Sequence, residues 1–205
     1  EDTENFTLLV QEIRNSLDTL GKKNGKHYEL SVAMSASPAM MAKIEYDKVL
    51  KIVDFANMMT YDLNGAWSSY TAHHTPLYTN EAYDPETMLE AKNSVDTCIK
   101  YLEKTYGTAI DYKKIVVGVA PYTRAWGGVK NDGLDKDNPG LYATATPNSI
   151  KSADGTTSGT YGFYELPALI EQYDLVEYFD NITVYGKILM QNFKHGASIL
   201  FQDSL

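Results

Sequence analysis

The sequence has little that would staple or anchor it. Its 205 residues hold one cysteine, Cys98, so no internal disulfide can form and stability must come from packing. A lone cysteine fits a cytosolic protein, or a large secreted enzyme that needs no staples. No apolar run approaches the roughly 20 residues that span a bilayer, so no membrane partner is expected. No signal peptide opens the chain, and mature or excised sequence is expected. Basic residues are scarce: 18 stand against 27 acidic ones, for a net charge of −9. A duplex binder needs a phosphate-neutralising surface, so no nucleic acid partner is expected and a neutral ligand is favoured. No Gly-x-Gly-x-x-Gly follows a strand and no Gly-x-x-x-x-Gly-Lys occurs, which removes the main support for a nucleotide fold. The Gly-x-Ser-x-Gly elbow of serine-triad hydrolases is missing too. His73 and His74 are adjacent and no spacing offers a third ligand, so neither a metal nor a cofactor is expected.

Against these absences, 43% of residues are hydrophobic and 22% charged, an ordinary globular balance. Tyrosine is plentiful, with 16 residues against six phenylalanines. An apolar face with a hydroxyl tip suits neutral polyhydroxylated ligands such as sugars, and equally suits half-buried core positions. The chain opens on a helical stripe of Phe6, Leu9, Val10, Ile13, Leu17 and Leu20, broken after Gly21. YELSVAMSAS (28–37) reads as a strand, Asp47 to Val53 as a short helix, and DFANMMTYD (54–62) as a strand apolar on both faces. A long loop over 63–83 implies function or disorder. Asp84, Pro85 and Glu86 then predict a helix start, with Met88, Leu89, Val95, Cys98, Ile99 and Leu102 as its stripe. Cys98 falls on that buried face, which favours a packed small hydrophobe over a reactive thiol. KIVVGVAPY (114–122) reads as the third strand.

Alternating elements predict a parallel sheet, either doubly wound or part of a (β/α)8 barrel that three strands cannot close. After residue 126 the composition turns rich in Gly, Asn, Asp, Ser and Thr, with a helical piece near Leu166 to Gln172. Residues 1–126 are therefore read as part of a barrel and 127–205 as an inserted α+β unit. Barrel active sites sit at C-terminal strand ends. Those ends bring forward Met59, Tyr61 and Asp62 on the second strand and Tyr122 and Arg124 on the third. Met59 and Tyr61, two apart, are predicted on one side of their strand. Trp67, five residues past Asp62, is a candidate stacking platform for a sugar face, or a pin for its own loop.

MMTYDLNGAW (58–67) followed by KIVVGVAPYTRAW (114–126) resembles the family 18 glycoside hydrolases, the chitinases. In that family one strand ends in Met-x-Tyr-Asp, a later one reads close to G-x-x-x-Y-x-R-x-(W/F), and an α+β insertion domain follows. The resemblance implies a partial TIM barrel, about strands five to seven, carrying that insertion. By the same resemblance Tyr61 and Asp62 act in catalysis: Tyr61 contacts the substrate's N-acetyl oxygen and Asp62 binds the sugar at the cleavage subsite. Met59 lies on the pocket floor, Trp67 stacks on the leaving-group side, and Tyr122 and Arg124 contact substrate. The implied chemistry is substrate-assisted: the N-acetyl carbonyl attacks the anomeric carbon and a protein acid protonates the leaving oxygen. The family's acid, the Glu of a D-x-x-D-x-D-x-E strand, does not occur in the 205 residues, and Thr123 replaces the usual Gly. The resemblance thus implies an internal piece of a secreted chitinase, acting on chitin or N-acetylglucosamine oligosaccharides. Alone it would be nearly inert, and it would need the missing barrel half for closure. A chitin-binding lectin of the same family is the alternative. An unrelated barrel enzyme acting on a phosphorylated substrate fits the acidic balance poorly.

Overall fold

A computed structural model describes residues 2–80, 92–130, 137–152, 154–181, 183, 186–191 and 197–202. The fold is mixed α/β with two separate sheets, one parallel and one antiparallel. The chain divides into two compact units, Glu1–Thr60 with Cys98–Gly118, and Tyr61–Thr97 with Val119–Leu205.

The first unit carries α1 (Asp2–Asn24), β1 (Ser31–Ser35), α2 (Pro38–Met41), α3 (Tyr46–Ile52), β2 (Phe55–Met59), most of α4 (Val95–Tyr106) and β3 (Ile115–Val117). Its three strands are parallel in the order β1-β2-β3, with Ser31 opposite Phe55 and Ala56 opposite Ile115. The alternation of strands and helices is thus as the sequence predicts. The strand faces are not. On β2, Ala56 and Met58 are buried while Asn57 and Met59 are exposed, and on β3 Val116 and Val117 are exposed. Successive side chains point to opposite faces, so a sheet covered on one face buries every second residue. The opening helix also differs from its predicted stripe. Val10 is buried with Thr7, Arg14 and Gly21, whereas Leu9, Ile13 and Leu20 are exposed. Arg14 takes the inner face because its guanidinium is satisfied there: Nε donates to Asp18 at 2.7 Å and Nη1 to the Tyr28 carbonyl at 2.9 Å. Cys98 is fully buried and donates to the Ala36 carbonyl, and burial pushes its thiol up to about 12. It is a packed side chain rather than a reactive one.

The predicted helix start at Asp84 and Pro85 lies outside the described residues. Asn93 and Ser94 are non-helical, so α4 begins afresh at Val95. Ser94 caps it: Oγ accepts from the Thr97 N–H at 3.1 Å, while the Ser94 N–H donates to Thr97 Oγ1 at 2.8 Å. This reciprocal pair satisfies two of the donors that a helix start leaves open.

The second unit is built on β4 (Tyr122–Gly127), β5 (Thr160–Gly162), α5 (Leu166–Tyr173), β6 (Leu175–Asp180), β7 (Gly186–Gln191) and β8 (Ala197–Gln202). Its strands are antiparallel, in the order β5-β4-β8-β7-β6. The predicted helix at Leu166 to Gln172 is α5. The third parallel strand, however, stops at Val117, so Tyr122 and Arg124 are not at its end. They open β4, a strand that runs across residue 126. The break falls where Gly118 and Pro121 interrupt the β-branched run, proline having no N–H to offer a ladder.

Residues 63–80 of the long loop after β2 are largely buried and held by main-chain bonds. Thr71 exchanges main-chain bonds with 142–143, its N–H donating to Ala143 at 2.9 Å and its carbonyl accepting from Tyr142 at 3.1 Å. The Asn148 N–H donates to Ala66 at 2.7 Å, and Asn64 Nδ2 donates to the His73 carbonyl at 2.7 Å. Ala72 joins Trp126, Leu141, Tyr142 and Ala143 in one apolar cluster. The loop's polar backbone can be buried because residues 140–148 supply the partners.

Candidate active site

The site is built from two segments of the second unit, the turn after β2 and the first half of β4. On β4, Tyr122 and Arg124 are two apart and share one face, while Thr123 and Ala125 are buried on the other. Arg124 pairs with Thr160 of β5 in the ladder. Its Nη1 donates to Thr160 Oγ1 at 2.6 Å and to the Ser158 carbonyl at 3.2 Å, which fixes the guanidinium.

Asp62 meets this face. Its backbone is left-handed, with φ of 58°, a conformation that aspartate tolerates better than most residues. The turn returns the chain so that the Leu63 N–H donates to the His74 carbonyl at 2.8 Å. Because β2 ends at Met59, the strand alternation expected to carry Met59 and Tyr61 to one side does not reach Tyr61. Met59 closes β2 in the first unit, and the cluster described here is made without it.

Asp62 Oδ1 accepts from Tyr122 Oη at 2.8 Å and from Arg124 Nε at 2.8 Å, and Arg124 Nη2 lies 2.8 Å from Oδ2. This two-point grip is the strong geometry for a guanidinium and a carboxylate. Burial pushes the Asp62 carboxyl up, but hydrogen bonds from Arg124 and Tyr122 and the Arg124 charge outweigh it. The carboxyl titrates below its usual range and stays ionised at neutral pH. Burial and the Asp62 carboxylate both push the Tyr122 phenol upward, so it stays protonated and donates. Oδ1 is filled by two donors. Oδ2 takes Arg124 Nη2 alone among the described residues and can accept one more hydroxyl or amide hydrogen.

Aromatic rings frame the carboxylate. The Arg124 guanidinium carbon lies 5.2 Å from the Trp67 ring centre and 5.6 Å from that of Tyr122. Tyr61 meets Tyr122 edge-on at 6.3 Å. Trp67 is 43% exposed, and its ring lies across Gly65, where a Cβ would collide with it. An exposed indole held against a cation is a ready stacking surface. The structure therefore brings Tyr61, Asp62, Trp67, Tyr122 and Arg124 together.

Sequence reasoning missed His74. It is 1% exposed, with its ring 5.3 Å from that of Tyr122 and Nδ1 3.8 Å from Asp62 Oδ1. Burial, despite the nearby Asp62 charge, holds it down at about 4 against an ordinary 6.5. It is therefore neutral in the fold and protonates more readily once unfolded. The stability tied to it is present above pH 6.5 and is lost as pH falls toward 4. Urea unfolding between pH 7 and pH 4 is expected to register a loss on the order of 3 kcal/mol, largely removed in His74→Phe. Its neighbour His73 turns the other way, as adjacent residues on an extended segment do. His73 Nε2 and Asp180 Oδ2 are 2.9 Å apart and fully buried, and Thr183 Oγ1 donates to the same oxygen at 2.8 Å. Among the described residues no cluster of three or more His, Cys, Asp or Glu side chains could hold a metal.

Thr123 carries an orphan. Its side chain is buried and Oγ1 has no hydrogen-bond partner among the described residues. A buried, unpaired hydroxyl costs about 1–3 kcal/mol. Thr123→Val is expected to raise the urea midpoint by the equivalent of about 1 kcal/mol, and a lowered midpoint would show that the hydroxyl is paired.

With the geometry in hand, comparison with known proteins is informative. The family model for glycosyl hydrolases family 18 matches residues 1–194. The chain belongs to that family. Chitinase A1 of Niallia circulans is 36% identical over 170 residues, 82% of this chain and 23% of that protein. A multi-modular cell-surface chitinase of a Paenibacillus species superposes with a TM-score of 0.78 at 30% identity, over 99% of this chain and 21% of the other. A family 18 N-acetylglucosaminidase of Paenibacillus barengoltzii superposes with a TM-score of 0.76 at 30% identity, over 98% of this chain and 52% of the other. The chain thus spans about half or less of the length of the family 18 relatives it matches.

Proposed function

We propose that this chain supplies the substrate-gripping part of a chitin-degrading site, one that cleaves β-1,4-linked N-acetylglucosamine polymers with retention. The observation that carries the proposal is the Asp62–Tyr122–Arg124 cluster, an ionised carboxylate with one open acceptor position framed by Tyr61 and Trp67. The open position on Oδ2 takes a hydrogen from the sugar at the cleavage subsite. The Tyr61 hydroxyl holds the N-acetyl oxygen, positioning it for attack on the anomeric carbon and stabilising the charge that develops. Trp67 stacks on the leaving-group side, and Tyr122 and Arg124 fix the carboxylate and touch substrate. An acid of the D-x-x-D-x-D-x-E kind, absent from these 205 residues, protonates the leaving oxygen. That step contributes roughly 10²–10⁴-fold, so this chain by itself binds rather than cleaves.

The parallel sheet of the first unit is proposed as barrel strands and the antiparallel sheet of the second as the family's insertion domain, so that the division between residues 1–126 and 127–205 falls within β4. Closure of the barrel then requires the missing half. Extracellular action follows from the substrate, since polymeric chitin lies outside cells. No helix among the described residues is long and apolar enough to cross a membrane. The alternative is a chitin-binding lectin of the same family, whose gripping cluster needs no acid. Sequence upstream of Glu1 that carries the Glu-terminated motif separates the two.

Tyr61→Phe tests the catalytic assignment. In an intact family 18 protein carrying this chain, hydrolysis of a chitin oligomer is expected to fall at least about tenfold in kcat, with KM little changed. An unchanged rate removes Tyr61 from the mechanism.

A further inference from the structure

His74 is the one polar ring in the cluster that no substrate role explains. It is nearly fully buried, and among the described residues neither ring nitrogen has a hydrogen-bond partner of good geometry. Its surroundings are the Asp62 carboxylate, the Tyr122 ring and main chain, the Arg124 guanidinium and the neighbouring His73. We propose that His74 is a positioning residue: uncharged, its ring is the wall that keeps the Tyr122 hydroxyl on Asp62, and protonated, it displaces that hydroxyl.

The argument rests on the occupancy of one oxygen. Asp62 Oδ1 already accepts from Tyr122 Oη and Arg124 Nε, each at 2.8 Å, which uses both of its lone pairs. His74 Nδ1 stands 3.8 Å from the same oxygen, just beyond bonding distance. A protonated Nδ1 is a charged donor, and it can close that gap only by taking the place of one existing donor. Arg124 is the harder to remove. It keeps its Oδ2 contact through Nη2 and its Thr160 bond through Nη1. Tyr122 holds Asp62 by a single neutral hydroxyl, so it is the group that leaves. The order of titration allows this. Burial and the Arg124 and His73 charges oppose a proton on His74 while Asp62 favours one, with the balance at about 4. The Asp62 carboxyl lies below its ordinary 3.8, so it is still ionised when His74 charges.

The inference deepens the proposed function but is testable without it. The 205-residue chain, labelled with ¹³C at tyrosine Cζ and histidine Cε1, is titrated by NMR from pH 7 to pH 3.5. The Tyr122 Cζ signal is expected to move with the same midpoint as His74 Cε1, near 4. In His74→Phe, which keeps a flat ring and cannot titrate, that movement should vanish; His74→Gln serves the same purpose should the Phe variant fail to fold. In Asp62→Asn the His74 midpoint should fall further, because the carboxylate that favours its proton is gone. The proposal is overturned by a His74 midpoint near 6.5, by Tyr122 movement that persists in the variants, or by a still Tyr122 while His74 titrates. It is also overturned if far-UV circular dichroism collapses as His74 charges, since protonation then opens the fold instead of shifting one hydroxyl. A second readout rests on the reading of this cluster as a sugar site. Affinity for an N-acetylglucosamine trimer should weaken by up to about tenfold between pH 6 and pH 4 in the native chain and stay level in His74→Phe. No binding at any pH would count against the sugar site and leave the NMR result standing.

Discussion

Asp62→Ala is expected to weaken binding of an N-acetylglucosamine oligomer by at least about 100-fold, a larger effect than any other substitution in the cluster. Truncating one partner of a hydrogen-bonded charge pair typically costs 2–5 kcal/mol in binding, because the other charge is left without its counterion. Here the losses converge. Among the described residues Arg124 keeps its hydrogen bonds to Thr160 and Ser158 but loses its counterion, Tyr122 loses its acceptor, and the open position on Oδ2 disappears. Asp62→Asn retains the shape and the oxygen but loses the charge, so its effect should be smaller, on the order of tenfold. Titration calorimetry on both variants separates the two contributions. Equal losses would mean that charge alone matters; an unaffected Asp62→Ala would remove the carboxylate from binding altogether.

The largest stability effect is expected one residue away from His74 in sequence and on the opposite side of the chain. His73→Ala should cost about 3–5 kcal/mol, the usual result of stripping one partner from a fully buried pair. Asp180 ends β6, and its Oδ2 accepts from Thr183 and faces His73 at 2.9 Å. That contact ties the buried loop of residues 63–80 to the antiparallel sheet within one unit. Urea unfolding should give a markedly lower midpoint for His73→Ala. The double variant His73→Ala, Asp180→Ala should be less unstable than the sum of the singles, since both polar groups are then gone. Additive losses would mean that the two side chains do not interact. Chitin-oligomer affinity, by contrast, should survive at temperatures where the variant stays folded, because His73 does not touch the Asp62 cluster.

The parts of this molecule legible in the sequence are those governed by local rules. Alternating helices and strands predicted a parallel sheet, and the apolar piece near Leu166 to Gln172 predicted α5. What failed were inferences needing neighbours. Leu9, Ile13 and Leu20 repeat at helical spacing, yet the inner face of α1 is set by Arg14, whose guanidinium finds Asp18 and the Tyr28 carbonyl. Spacing cannot reveal that a charged residue has partners waiting. KIVVGVAPY reads as one strand because its apolar, β-branched run hides the interruptions at Gly118 and Pro121, and the pairing partners then separate β3 from β4. Within the site, Tyr61, Asp62, Trp67, Tyr122 and Arg124 were all named, through two short motifs. His74 was weighed only as a metal ligand, because its place in the cluster rests on a contact across 48 residues with Tyr122. Thr160 likewise carries no signal until the ladder sets it beside Arg124.

The central claim is that this carboxylate-centred cluster grips an acetamido sugar, and tryptophan fluorescence tests it most directly. The chain has two tryptophans, of which Trp126 is fully buried and Trp67 is 43% exposed beside Arg124. Titrating the chain with an N-acetylglucosamine oligomer should give a saturable change in Trp67 emission that is lost in Trp67→Phe and in Asp62→Ala. The deacetylated glucosamine oligomer of equal length should give little change. An equal response to both oligomers, or a response that survives Asp62→Ala, would contradict the account.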